Sequence, residues 1–302
     1  MSFVSKIGIG TAQFGLDYGI SNLTGQVSEG EVERILRGAR AEGIDTLDTA
    51  ALYGESESVL GGVIDNHSEF KIITKTVGVD SHEVTPAELY RIKETVDKSL
   101  LRLHAPQIYG LLIHDVNDLF KPHSEQLIDL LREFRERGKV QKIGVSIYTS
   151  EQIDQVLELF TPDLVQVPGS IVDQRLVRSG HLQKLKDIGV EIHLRSAFLQ
   201  GLILMSPEEL DPYFDPIKDH LRDYRAYLNK YDVTPLQAAL QYTLGLEQID
   251  RVIVGFCSRS ELTGVIKAAK KALPEKFEFD RWGLEDSAFV NPAEWQLIPE
   301  LV

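Results

Sequence analysis

Eight short apolar runs, separated by longer amphipathic stretches, constrain this chain more than any other feature. They cover residues 6–11, 44–48, 71–75, 109–114, 142–146, 164–167, 190–195 and 251–255. Runs of this length with polar ends are the pattern of strands buried on both faces. Helix signals lie between them. Thr85-Pro86 and Thr234-Pro235 each put a capping hydroxyl before a proline at the first helical position. Ser28-Glu29-Gly30-Glu31 reads as a capping box ahead of Val32, Ile35 and Leu36, and 258–271 reads as a last amphipathic helix. Strand–helix alternation implies right-handed crossovers and a parallel sheet. Eight such units predict an α/β fold, a closed (β/α)8 TIM barrel, with an open doubly wound sheet as the competing arrangement. Gly8-Ile9-Gly10 lies inside the first run with no third Gly at dinucleotide-fingerprint spacing, which favours the barrel.

The longest gap separates the seventh and eighth runs, and residues 205–230 within it are rich in Pro, Tyr and Asp. That predicts an enlarged loop after strand seven rather than a second domain. The tail, 272–302, holds both tryptophans, Trp282 and Trp295, and is expected to pack on the barrel, making 1–302 one domain. Apolar residues make up 43% of the chain, enough for a large core. A formal net charge of −14 disfavours nucleic-acid binding, which needs a basic face. The single Cys257 excludes an intrachain disulfide and a cysteine-rich metal site, and fits a reducing compartment. No metal is predicted. No apolar run approaches the length of a membrane span. The expectation is a cytoplasmic monomer or weak homo-oligomer acting on a small molecule.

Side chains at the C-terminal ends of barrel strands gather in one mouth. Asp48 ends the second run, Tyr53 follows it, Lys75 ends the third and His114 the fourth. Together they make chemical sense as a carbonyl-reducing set. A phenol, with an ordinary pKa near 10, donates a proton usefully near neutrality only if its phenolate is stabilised. An ammonium beside it does that, a carboxylate holds the ammonium, and an imidazole orients the carbonyl.

The segment Asp48-Thr49-Ala50-Ala51-Leu52-Tyr53-Gly54, with Glu57 and Leu60-Gly61, resembles the aldo-keto reductase signature. Similarity continues through Gly144-Val145-Ser146, Asp163 to Pro168, Arg195 to Leu202 and Val254-Gly255. The resemblance implies a TIM barrel that uses NADPH or NADH, without a Rossmann domain, to reduce aldehydes or ketones. It implies Tyr53 as proton donor, Lys75 as the group that lowers its pKa, Asp48 as the partner of Lys75, and His114 as the group orienting the carbonyl. The Arg195-Ser196-Ala197-Phe198-Leu199-Gln200-Gly201 stretch is similar to reductases found among bacterial surface-sugar genes, which implies a sugar-like carbonyl.

On the cofactor side, the resemblance assigns Ser146 and Gln166 to the nicotinamide carboxamide, with Ile147 where the family has Asn. Arg195 stands where the family often stacks an aromatic ring. A guanidinium can stack too, or ion-pair at the rim. The resemblance also assigns Gly10, Thr11, Ser196, Phe198, Leu199 and Gly201 to the cofactor site. Gly255, Phe256, Cys257, Ser258 and Arg259 supply the loop beside the last helix, where backbone N–H groups suit phosphates. Glu261 replaces the usual Arg and Val265 the usual Asn around a 2′-phosphate. That makes NAD or dual use realistic. Cys257 reads as a packing residue rather than a reactive thiol. Specificity is expected from Gln13, Phe14, Tyr18, Gln174, Arg175, Tyr213, Phe214, His220, Trp282 and Trp295. Two other functions compete: a lysine Schiff-base aldolase built on Lys75, and a nicotinamide-binding sensor or subunit with slow or lost turnover.

Overall fold

In the computed structural model, which describes residues 3–22 and 24–297, eight parallel strands close into a barrel in sequence order. They are β1 (Ile7–Gly10), β2 (Thr46–Asp48), β3 (Lys71–Lys75), β4 (Ile108–Ile113), β5 (Val140–Ser146), β6 (Leu164–Pro168), β7 (Glu191–Arg195) and β8 (Arg251–Gly255). β8 returns beside β1, with Ile7 opposite Val252 and Gly10 opposite Gly255, so the competing open sheet does not form. All eight apolar runs are strands. Residues 1, 2, 23 and 298–302 of the expected 1–302 domain lie outside the described residues.

Amphipathic helices pack outside the barrel. Val32, Ile35, Leu36 and Ala39 are buried on Glu29–Ala41, and Leu262, Val265, Ile266 and Ala269 on Arg259–Lys270. Thr85 and Thr234 cap their helices by accepting the N–H groups of Glu88 and Gln237. The expected capping box at 28–31 does not form. Ser28 makes no side-chain cap bond, and Glu31 instead accepts the Arg259 N–H at 2.6 Å. A neighbouring helix's unsatisfied amide wins the carboxylate because that bond joins two elements and meets the helix dipole. No helix among the described residues is long and apolar enough to cross a membrane.

Inside the barrel, Ile73, Leu112 and Leu164 fill the middle. At the end opposite the mouth, Glu191 accepts from Tyr109 at 2.6 Å and from Lys142, and contacts His193 at 2.8 Å. Burial opposes the Glu191 charge, but the bonds from His193, Lys142 and Tyr109 outweigh it and hold its carboxyl well below the usual range.

The segment between β7 and β8 is enlarged as expected, running through short turns to the helices Lys218–Lys230 and Pro235–Gly245. It meets the tail in a second apolar cluster. Trp282, 2% exposed, packs its ring 5.2 Å from Tyr224 and 5.1 Å from Tyr227, and its indole N–H donates to Glu278 O. Phe214 meets Trp295 edge-on at 5.1 Å. The tail is tied to the barrel where the Leu284 N–H donates to Val172 O at 2.8 Å and the Gln174 amide donates to Phe279 O at 2.9 Å. Replacing a buried Trp by Ala typically costs about 3–5 kcal/mol. Trp282→Ala should therefore lower the thermal midpoint by several degrees, and an unchanged calorimetric melt would mean the tail does not stabilise the barrel.

Candidate active site

The four residues expected to do chemistry converge at the strand C-termini. Lys75, 1% exposed, donates to Asp48 Oδ1 and Oδ2 at 2.8 Å each and to Thr49 O at 2.9 Å. All three ammonium protons are thereby satisfied. Burial opposes the Lys75 charge, but Asp48 and then Tyr53 oppose that effect, and its pKa lies above the ordinary value. The Lys75 Nζ stands 5.1 Å from the centroid of the Tyr53 ring, and His114 meets that ring edge-on at 6.0 Å. Tyr53 sits on a tight turn. A Cβ on Gly15 would fall 1.9 Å from Tyr53 O, and Gly54 adopts φ +54°. Glu57, from the matched signature, accepts from Arg102 and from Thr74, the neighbour of Lys75, and so fastens the next helix to β3.

His114 is forced neutral. Burial first, then the Lys75 charge, lower its pKa to about 4. Its Nδ1 is buried without a partner.

A cavity of about 760 Å³ opens above these groups, lined by Asp48, Tyr53 and His114. Gly10, Thr11, Ser146, Gln166 and Arg195 also line it. Ser196, Phe198 and Gly201 follow after β7, and Gly255, Phe256, Cys257 and Glu261 after β8. Thr11 donates to Asp48 O at 3.0 Å, locking the end of β1 to β2. Ser146 and Gln166 are cross-strand neighbours. The Gln166 amide donates to Asp48 Oδ1 at 2.7 Å, which ties the expected carboxamide ligand to the ion pair. Ile147 is fully buried in the core, so its side chain takes no part in the cavity.

Four expected residues do not line the cavity. Lys75 lies beneath it, behind Asp48. Leu199 is buried in the second apolar cluster. Ser258 caps the last helix by accepting the Glu261 N–H at 3.1 Å. The Arg259 guanidinium packs over Gly38 and bonds Thr263 at 3.1 Å. The expected specificity residues divide as well. Gln13 and Tyr18 line the cavity, whereas Phe14 is buried in the core and Arg175 is paired with Asp173. Gln174, Tyr213, Phe214, His220, Trp282 and Trp295 belong to the loop–tail contacts instead of the cavity lining.

The lining suits a dinucleotide. Gly255 and Gly201 both line the cavity, and each packs so closely that a Cβ would strike a neighbour, Gln13 at 2.7 Å and, for Gly201 at φ +98°, Ser21 Oγ at 2.0 Å. Ser196, Leu199 and Gln200 all adopt positive φ, concentrating backbone strain beside the cavity as functional segments do. The Cys257 thiol is pushed up to about 11 by burial and then by Glu261, so it stays protonated.

The sequence model of the Aldo/keto reductase family matches residues 6–282. The chain belongs to the aldo-keto reductase family. Among curated proteins it is 27% identical to L-galactose dehydrogenase of Arabidopsis thaliana, over 86% of this chain and 82% of that one. An aldo-keto reductase of Bacillus subtilis is 26% identical over 76% and 71%. The NADH-specific methylglyoxal reductase of Escherichia coli is 27% identical over 66% and 65%. An aldo-keto reductase from Bacillus halodurans, solved in its holo form, superposes with a TM-score of 0.71 at 22% identity, covering 89% and 88%, and supports the fold. This aldo-keto reductase is accordingly an oxidoreductase of small-molecule carbonyl compounds, in a family that uses NAD(P)H.

Sequence reasoning did not assign Tyr148, which lines the cavity. Tyr148 lies two residues beyond the end of β5, and carrying the strand's alternation past Ser146 would have placed it on the same side as Ser146, opposite the core-buried Ile147. Asn22, Thr24 and Gln200 also line the cavity from loops without periodicity to reveal them.

The lowered His114 pKa has a consequence for this reductase. The unfolded chain binds a proton near pH 6.5 that the folded chain refuses until about pH 4. Stability from the neutral imidazole is present above pH 6.5 and is lost as pH falls toward 4. A His114→Asn variant should lose less stability than the parent in denaturant titrations across that window. Parallel curves would show that His114 is not responsible.

Proposed function

We propose that this aldo-keto reductase reduces an aldehyde or ketone of a polar, sugar-like molecule to its alcohol, with Tyr53 giving the proton to the carbonyl oxygen. The observation that carries the reading is the fully bonded Lys75–Asp48 pair beneath Tyr53, with neutral His114 at the edge of its ring. A positive charge under a phenol favours the anion left when the proton departs. Neutral His114 offers a hydrogen bond to a carbonyl without a competing charge. Bound nicotinamide would supply the hydride. Ser146 and Gln166 would hold its carboxamide, and Gly255 and its successors would face its phosphates. Gln13, Tyr18, Asn22 and Gln200 give the cavity a hydrogen-bonding rim suited to hydroxylated substrates, in keeping with relatives named for L-galactose and D-arabinose.

The aldolase alternative needs a neutral amine, whereas Lys75 is held as an ammonium by three acceptors. A sensor without turnover has no use for the assembled proton-donor group. With one half-buried cysteine, a cytoplasmic setting fits the chemistry.

Losing a general acid costs about 10²–10⁴-fold in rate. Tyr53→Phe should show that loss on an aldehyde panel while NADH fluorescence still titrates normally. Retained turnover would remove Tyr53 as the donor. We also propose NADH as the favoured cofactor. Glu261 lines the cavity, accepts the Cys257 N–H at 2.7 Å, and would meet a 2′-phosphate with like charge, while Arg259 is engaged elsewhere. Glu261→Arg should tighten NADPH by about tenfold or more relative to NADH. An unchanged ratio would discard this account of preference.

A further inference from the structure

Arg195 ends β7 with its guanidinium 4.1 Å from the centroid of the Tyr148 ring. Its hydrogen bonds are long and go to neutral oxygens, Ser196 Oγ at 3.4 Å and Ile147 O at 3.5 Å. Among the described residues no carboxylate lies within ion-pair distance of it. The alternative reading of an ion pair at the rim finds no partner among the described residues. Tyr148 instead braces one face of the guanidinium, and both residues line the cavity.

The other charged groups lining the cavity at the catalytic end cancel or are absent, and Asp115, outside the lining beside His114, favours the His114 charge. Lys75 is matched by Asp48, and His114 is neutral above about pH 4. Glu261, the other carboxylate of the lining, stands after β8 and is bonded to the Cys257 N–H. Among the lining groups at this end one positive charge, that of Arg195, is left over. It reaches the reacting groups, because it already disfavours the charged forms of His114 and Lys75. A nicotinamide that reduces a carbonyl held by Tyr53 and His114 must stand at this same end. Its oxidised ring is a cation and its reduced ring is neutral.

We infer that Arg195 selects the redox state of the bound nicotinamide, so that the reduced form binds more tightly than the oxidised form. The inference rests on the nicotinamide reading above. Like charges a few ångströms apart in a partly desolvated cavity differ from a charge–neutral pair by about tenfold or more in affinity. For a two-electron couple, tenfold is about 30 mV in the potential of the bound cofactor. The effect captures reduced cofactor and hastens release of the oxidised one, which suits a reductase whose net charge of −14 would otherwise welcome the cation.

The test is a pair of dissociation constants, with NADH followed by its fluorescence and NAD+ by displacing it. The ratio of the two cancels contacts to the adenosine and phosphates, including those at Glu261. Arg195→Gln should shrink the NAD+/NADH ratio by about tenfold, mainly through tighter NAD+, while Arg195→Lys keeps most of the parent ratio. NADPH and NADP+ should give the same shift. If neither cofactor binds the parent protein, the nicotinamide reading fails. If both bind and Arg195→Gln leaves the ratio unchanged, the inference about Arg195 is overturned. It is overturned equally if that variant loses only a preference for carboxylate-bearing aldehydes over neutral ones, since the charge would then serve substrate.

Discussion

The Lys75–Asp48 ion pair is the constraint around which the mouth of this barrel is organised. Both groups are buried, and a buried charge is tolerable only when paired and fully hydrogen-bonded. Asp48 meets that demand by accepting from Lys75 and from Gln166, and Lys75 by adding Thr49 O. The bonds join β2, β3 and β6 across the barrel, while Thr11 fixes the same strand end from β1. Removing one partner would strand the other charge in a dry interior, so the pair is better viewed as a single unit than as two residues.

The geometry of Tyr53 follows from that unit. The turn brings the Tyr53 ring to 5.1 Å from the Lys75 Nζ and leaves the cavity open above it. Gly15 and Gly54 permit this because their backbones meet at a distance no side chain allows. The placement of Tyr53 is thus written partly in residues with no chemistry of their own. At the opposite end of the barrel, a different charged cluster around Glu191 closes the floor, so polar groups occupy both ends and aliphatic ones the middle.

Much of this is legible in the sequence, and the failures share a cause. Strands stand out because burial on both faces leaves an unbroken apolar run. Asp48, Lys75 and His114 stand out because they interrupt such runs at their ends. Interactions that depend on a neighbour distant in sequence are not visible there. Glu31 has the spacing of a capping box, yet Arg259, remote in sequence, offers it a better bond. The aromatics of the insertion and tail look like pocket walls in sequence, but they prefer each other and leave the cavity lining to smaller and more polar groups. Gln166 carries two readings at once, and only the fold reveals its bond to Asp48.

Three amides at the start of the last helix are satisfied from within the chain. The N–H groups of Cys257, Arg259 and Glu261 are each taken by a side-chain acceptor: Glu261, Glu31 and Ser258 respectively. Unmet donors usually make such a helix start a ready anion trap. Here the protein supplies its own counterparts, so a dinucleotide that engages these amides must exchange partners with them. Net affinity at that end is a difference between two sets of bonds. The helix start thus keeps three of its amides bonded by the chain's own side chains.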